Sequence, residues 1–361
     1  MSRAAPVRSG IIGAGFMGEV HARAVRAAGG VVAGVAAADA EASVVGAKRL
    51  NAAWAAPSIA DLLESDEIDL VHICTPNAHH VPIAEHAIKA GKAIICEKPL
   101  ALTAEEAKYV TELAVSEGIV TGVPFVYRFY PTVRDARLRI GRGDTGSLKL
   151  LHGSYLQDWL SNADESNWRV DASIGGHSRA FADIGVHWCD LMEFVTGHRI
   201  ARVSARFMTA FPFRGDVAVA TEDAATVQFE TDHGAIGSVV VSQVTPGRKN
   251  RLHFSFDGAD QSIAFDQEFP ESLWVGRRAS NEVVMRGSST HDAVARYSVL
   301  PPGHPQGYQD CFNAFVSDVH RRIGGDDVDG LPDFHDGLRA ARVIDAVIES
   351  TETGNWVEVA A

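Results

Sequence analysis

The chain holds only four cysteines, Cys74, Cys96, Cys189 and Cys311, and none stands in CxxC or CxxH spacing. That scatter supports neither a disulfide framework nor a zinc site, and it fits a reducing compartment. Long apolar runs are missing, and residues 1–10 lack the charged-then-apolar layout of a signal peptide. The expected location is therefore cytoplasmic, with no membrane partner. Basic stripes are missing as well, and a net charge of −13 disfavours broad attraction to phosphate, so nucleic acid is not an expected partner. No internal repeat or low-complexity linker is visible. What is present is 361 residues of ordinary globular composition, enough for two domains with a core each.

From Ser9 to about Val123 short apolar runs alternate with longer amphipathic ones, the signature of a parallel sheet with crossover helices. Runs 10–12, 31–36, 70–74, 93–96 and 119–122 are the predicted strands; 17–28, 40–51, 58–65, 80–90 and 104–116 are the predicted helices. Thr103 followed by Glu106 forms a capping box, which marks the last helix start. After Tyr130 strand-like runs recur with little helix between them, at 148–156, 202–208, 224–229, 235–241, 252–256, 261–265 and 283–286. Helices are predicted at 181–196, 306–323 and 334–353. The reading is an α/β domain with a parallel doubly wound sheet over 1–123. A C-terminal α+β domain over 124–361 follows, with a large open, mostly antiparallel sheet.

Gly13-Ala14-Gly15-Phe16-Met17-Gly18 is a GxGxxG directly after an apolar strand and at the head of an amphipathic run. Gly13 permits the tight turn, Gly15 lets backbone approach a pyrophosphate, Gly18 allows close helix–strand packing, and the helix N-terminus supplies oriented N–H donors. This is the fingerprint of a Rossmann dinucleotide-binding domain. An acidic residue is expected about 20 positions on, to accept the ribose hydroxyls, and Asp39 is near that distance, in or just past the second strand tip. No Arg or Lys follows that strand to grip a 2′-phosphate, so the expected cofactor is NAD, with NADP left open.

Two segments end predicted strands, where open parallel sheets bind ligands: Cys74-Thr75-Pro76-Asn77-Ala78-His79-His80 and Cys96-Glu97-Lys98-Pro99. Lys98 is the first catalytic candidate, against the alternative of a surface lysine before a proline turn. Asp183 and His187, four apart, share one face of a predicted helix, and a carboxylate beside an imidazole suits a general base. His187 also admits a role as a hydrogen-bonded core residue or cap. His80 divides evenly between capping the following helix and touching the cofactor. His79 and His177 raise a metal site, but no third ligand stands at suitable spacing and none is expected.

GxGxxG with His21 three residues later, TPNxxH at 75–80, EKP at 97–99, Tyr127-Arg128-Phe129 and DxGxH at 183–187 occur in this order. Together with Asp336-Gly337 and the terminal Gly354-Asn355-Trp356-Val357, they make nearly the whole chain resemble the glucose-fructose oxidoreductase / inositol dehydrogenase / MocA family. Ala37-Ala38 at the second strand tip matches neither pattern common there for NAD or NADP. The resemblance implies an NAD(P)-dependent oxidoreductase acting on a secondary hydroxyl of a sugar, sugar derivative or cyclitol. It implies cofactor contacts from Gly13, Gly15, Phe16, Met17, Gly18, Asp39, Thr75, Pro76, Asn77, His80, Glu97 and Lys98. His187 is then the base, Lys98 the donor to the substrate oxygen, and Asp183 a ligand for a neighbouring hydroxyl or an orienter of His187.

Substrate contacts are expected from Gln157, Trp159, Trp168 and Arg169, which mix hydrogen-bonding groups with aromatic faces, and from Arg128 and Tyr308. The tryptophans also read as domain packing. Arg128, Arg169 and Arg179 suit an anionic sugar group or a local acid such as Asp171 or Asp183. The same resemblance admits a redox glycosidase that oxidises a glycoside, eliminates the aglycone and reduces the product again. A nucleotide-binding sensor without turnover is the reading from outside enzymology. An antiparallel sheet with helices over one face leaves the other for a partner, so a homo-oligomer, dimer or tetramer, is expected through the C-terminal sheet.

Overall fold

The computed structural model describes residues 5–289 and 291–361 and divides into two compact units. One takes in the chain up to Val126 together with Tyr308–Leu338, and the other holds Tyr127–Gly307 with Arg339–Ala361. The sequence suggests a single cut at 123/124; the compact units instead interleave, because the chain returns to the first after completing most of the second.

In the first unit six parallel strands, β1 (Arg8–Ile12), β2 (Val31–Ala36), β3 (Trp54–Ala55), β4 (Leu70–Ile73), β5 (Ala93–Cys96) and β6 (Thr121–Gly122), lie in the order β3-β2-β1-β4-β5-β6. Crossover helices α1 (Phe16–Ala27), α2 (Ala40–Leu50), α3 (Ile59–Glu64), α4 (His80–Lys89) and α5 (Ala104–Ser116) join them. The central strands are buried almost throughout, which is why they read as short unbroken apolar runs and not as alternation. Asp39, Ser58 and Thr103 each accept a hydrogen bond from the first turn of the helix they open. Glu106 returns from the α5 turn to accept from the Leu102 amide, at 3.1 Å.

The second unit is built on a nine-stranded sheet. Its parts in chain order are α6 (Pro131–Gly141), β7 (Leu148–Leu156), α7 (Ala172–Gly175), a π-turn over Phe181–Gly185, α8 (Val186–Thr196), β8 (Ile200–Met208) and the small hairpin β9 (Phe213–Arg214) and β10 (Val217–Ala218). Then come β11 (Ala224–Thr231), β12 (Ile236–Ser242), β13 (Arg251–Gly258), β14 (Ser262–Asp266), β15 (Ser272–Gly276), β16 (Asn281–Met285) and α9 (Asp292–Ala295). Helix α10 (Tyr308–Ile323) belongs to the first unit, α11 (Phe334–Thr353) begins there and ends in the second, and β17 (Val357–Glu358) closes the sheet. The strand order is β16-β15-β14-β13-β7-β12-β11-β8-β17, antiparallel except where β7 meets β12.

One face of this sheet, carrying Leu151, Val239, Val227, Phe254, Phe256 and Phe265, is buried, and Trp188 of α8 packs there, donating its indole N–H to the His253 carbonyl at 2.9 Å. The alternate positions form the other face, where Leu150, Ile236, Val240, Trp274, Val283 and Met285 are exposed among His152, Ser238, Ser255 and Gln228. No helix of the described residues is long and apolar enough to cross a membrane. The sequence expectations do not include α6, α7, α9, the β9–β10 hairpin, or the strands β3, β15 and β17. The single helix expected over 181–196 is broken into π and α parts, and at Gly185, where they join, a Cβ would lie 2.4 Å from the Phe181 ring.

Candidate functional site

In the first unit Gly13 leaves β1 at φ +99°, and a Cβ there would lie 2.6 Å from the Cys74 carbonyl oxygen. A Cβ on Gly18 would sit 2.3 Å from the Gly13 carbonyl oxygen, so the start of α1 can press against the turn only with glycine there. Gly15, by contrast, has nothing within 4 Å of its Cβ position and caps α1 with no side-chain bond. An open glycine at a helix N-terminus whose N–H groups lack side-chain partners fits a pyrophosphate. Phe16 is 67 % exposed beside it, and Met17 is half-buried. Asp39 is exposed just beyond β2, three residues past the strand, and its carboxylate accepts from the Ala42 amide at 2.8 Å, so it caps α2 while standing at the strand tip.

The β4 and β5 turns are tied together by His80. Its ring is buried, with Nδ1 2.8 Å from the Pro99 carbonyl and Nε2 2.9 Å from the Thr75 carbonyl. Burial holds its pKa below the usual imidazole value despite the two carbonyls that favour protonation, and a neutral ring donates to only one of them. His80 thus latches the Thr75-Pro76-Asn77 turn to the turn carrying Lys98; its nitrogens are spent on backbone. Asn77 is buried and Lys98 half-exposed, followed by a cis peptide to Pro99.

Glu97 is held from behind by a buried chain. His21 Nε2 lies 2.9 Å from Glu97 Oε1, His21 Nδ1 lies 2.9 Å from His72 Nδ1, and His72 Nε2 lies 3.3 Å from Ser9 Oγ. A carboxylate only accepts, so His21 donates from Nε2; a neutral His21 then accepts at Nδ1 from His72. Burial alone would raise the Glu97 carboxyl, but the His21 bond and then the Lys98 charge hold it below its ordinary value. Burial, then the charges of His21 and His320, push His72 well below the imidazole range. Burial raises the Cys74 and Cys96 thiols well above theirs, which leaves them protonated. Tyr308 opens α10 in this unit, its ring edge-on to Phe312 at 5.1 Å, and Phe312 in turn meets His21 at 5.1 Å.

In the second unit Asp183 lies in the π-turn and His187 in the first turn of α8. Gln243 donates to Asp183 Oδ2 at 2.8 Å, and Arg169 Nε stands 3.3 Å from Oδ1. The His187 ring is edge-on to Tyr127 at 5.1 Å and tilted to Tyr155 at 6.2 Å. The Tyr127 and Tyr155 hydroxyls are hydrogen-bonded to each other. Asn250 gathers this edge: it accepts from Tyr155 at 2.8 Å and from Gln157 at 2.7 Å, and donates to Tyr127 at 3.1 Å. Gln157 accepts from the Trp159 indole at 2.8 Å, and the Arg169 guanidinium lies over the Trp168 ring at 4.3 Å. Imidazole, carboxylate, amides and aromatic faces so assembled suit a polyhydroxylated ring.

Two arginines take other places. Arg128 is buried in a bidentate pair with Asp190, and Arg179 is fully buried against Asp223. Both are committed to carboxylates within the unit and are not offered to an anionic substrate. Gln243 and Asn250 come to the site without having stood out as ligands in the sequence, and Tyr127 only as part of the Tyr127-Arg128-Phe129 motif. Among the described residues no group of three metal-ligating side chains comes together.

A Rossmann sheet with this glycine turn defines a dinucleotide-binding class of protein. The family model described as oxidoreductase family, NAD-binding Rossmann fold, matches residues 7–125, and the GFO/IDH/MocA C-terminal domain model matches residues 133–264. The chain belongs to the GFO/IDH/MocA oxidoreductase family. It is 32 % identical to a levoglucosan dehydrogenase of Pseudarthrobacter phenanthrenivorans, over 97 % of each chain, and 26 % identical to an inositol 2-dehydrogenase of Rhizobium meliloti, over 98 % of this chain and 99 % of that one. A solved levoglucosan dehydrogenase in complex with NADH and levoglucosan superposes with a TM-score of 0.92 at 31 % identity, covering 99 % of this chain and 100 % of that one.

Proposed function

We propose that this protein oxidises a secondary hydroxyl of a sugar, sugar derivative or cyclitol, with NAD as the hydride acceptor. The observation that carries the reading is the cluster around His187: an imidazole against two tyrosines, with Asp183 four residues earlier fixed by an amide and a guanidinium. Gly15 and the α1 N-terminus hold the pyrophosphate, and Asp39 accepts from the ribose. Bound NAD supplies the hydride-accepting ring. His187 takes the hydroxyl proton, since an imidazole titrates near neutral pH. Lys98 donates an N–H to the same oxygen and balances its developing charge, while Asp183 accepts from the adjacent hydroxyl. Gln157, Trp159, Trp168 and Arg169 line the ring's polar edges and C–H faces. The relatives named for levoglucosan and inositol support a polyol without fixing which one.

The test is absorbance at the NADH band with NAD or NADP against a panel of levoglucosan, myo-inositol, scyllo-inositol, D-xylose and p-nitrophenyl glycosides. Accumulating reduced cofactor with a free polyol is the expected result. Release of nitrophenol without net NADH would replace the dehydrogenase with the redox glycosidase, and NAD binding without either would leave only a sensor.

We also infer that the chain self-associates through the open face of its nine-stranded sheet. The support is the exposed apolar side chains Leu150, Ile236, Val240, Trp274, Val283 and Met285 on that face, interspersed with ion pairs such as Arg202–Glu230 and His152–Asp257.

A further inference from the structure

We propose that Gln243 is a positioning residue for Asp183, and that the buried segment Thr221–Asp223 is the anchor from which both are set. This rests on the reading of Asp183 as a substrate ligand.

Glu222 is 2 % exposed and comes from the strand approach to β11, yet its carboxylate accepts from the Ser178 hydroxyl at 2.8 Å, the Arg179 amide at 3.0 Å and the Phe181 amide at 2.8 Å. These donors belong to the start of the turn that carries Asp183, where helix N–H groups have no partner of their own. A carboxyl from another element thus decides where that turn begins, its three donors opposing the burial that raises its pKa above the ordinary value.

The next residue reaches the same aspartate by a second route. The Asp223 carbonyl accepts from the Gln243 amide nitrogen at 2.9 Å, and the Gln243 side chain donates to Asp183 Oδ2 at 2.8 Å. The Gln243 carbonyl also accepts from the Leu160 amide at 3.1 Å. On the far side the Asp223 carboxylate pairs with Arg179 and Arg214, both fully buried. Arg214 donates to the carbonyls of Leu160 at 2.9 Å, Asn162 at 2.8 Å and Glu165 at 2.9 Å. Backbone of the π-turn, carboxylate of Asp183 and the loop following Trp159 are therefore all registered to one buried segment.

A neutral amide donating to a carboxylate favours its charged form, so losing it raises that carboxyl's pKa. A merely structural glutamine would not move a pH limb, and this separates the two roles. Gln243→Met keeps volume and removes the donor. With NAD and the fastest polyol of the panel, kcat/KM should fall about 10- to 100-fold. The acid limb of its pH profile should move to higher pH, and further in Gln243→Glu, while the NADH dissociation constant stays within about two-fold, as expected for a change that does not touch the glycine turn. If Gln243→Met does not fold, Gln243→Asn, which retracts the amide by one methylene, should show the same fall. Asp183→Asn is run in parallel. Its impairment beside an unaltered Gln243 variant overturns this inference alone; full activity in Asp183→Asn overturns the reading of the site, and this inference with it.

Discussion

At the scale of single residues the arginines divide by what surrounds them. Arg128 and Arg179 satisfy buried carboxylates 62 and 44 positions away in sequence, whereas half-buried Arg169 lies between Trp168 and Asp183. Truncating one partner of such a buried pair costs about 3–5 kcal/mol because a charge is left unpaired, so Arg128→Ala and Arg179→Ala should lower stability first. His187→Ala and Lys98→Ala should behave the other way: turnover falls about 10²- to 10⁴-fold while the melting temperature holds. Near-normal kinetics in either removes that residue from the chemistry. The motif residues were legible because each sits at a fixed offset from a turn. Gln243, Glu222 and Asn250 were not, since their value comes from pairings that only the folded sheet creates; for Arg128, which suited a substrate anion or an acid of the chain, the fold supplies the acid, Asp190.

Elements of the first unit follow their sequence closely because buried parallel strands and capped helices leave local signals: the β2 and β5 bounds coincide with the predicted runs, and α5 begins at its capping box. In the second unit α6 escaped because its helix is rich in arginine and its apolar stripe is weak. Strand β15 escaped because Trp274 points to the open face. A π-turn has no sequence period of its own. The glycine turn offers a controlled comparison. Gly15→Ala should fold with an unchanged melting temperature, as its Cβ meets nothing, yet bind NADH more weakly by fluorescence titration; Gly13→Ala should lose both, since φ +99° and the Cys74 carbonyl oppose a side chain. The β4–α1 histidine chain carries a pH dependence. His72 has a folded pKa well below its unfolded value, so the unfolded chain binds the proton first and stability is lost as pH falls below about 6.5. His72→Gln should flatten the decline of melting temperature below that pH, and an equally steep decline would place the acid sensitivity elsewhere.

For the molecule as a whole, the open sheet face sets the expected assembly. Trp274 and Val283 are cross-strand partners on that face, and Val240 pairs with Ser154 nearer its middle. Sedimentation at micromolar concentration should show a dimer or tetramer, and Val240→Glu with Trp274→Glu should shift it to the monomer while NADH binding persists. A wild-type monomer would sink the interface. The order of the units also bears on dissection. Helix α10, encoded about 290 residues after the glycine turn, lays Phe312 against His21, joins Gln309 to the Val20 carbonyl at 3.1 Å and brings Phe315 to within 3.0 Å of where a Gly122 Cβ would stand. The nucleotide-binding half is consequently not a cassette that can be lifted out by cutting at Val126: a fragment ending there would display a raw apolar flank, and any portable version must splice the late helix back on.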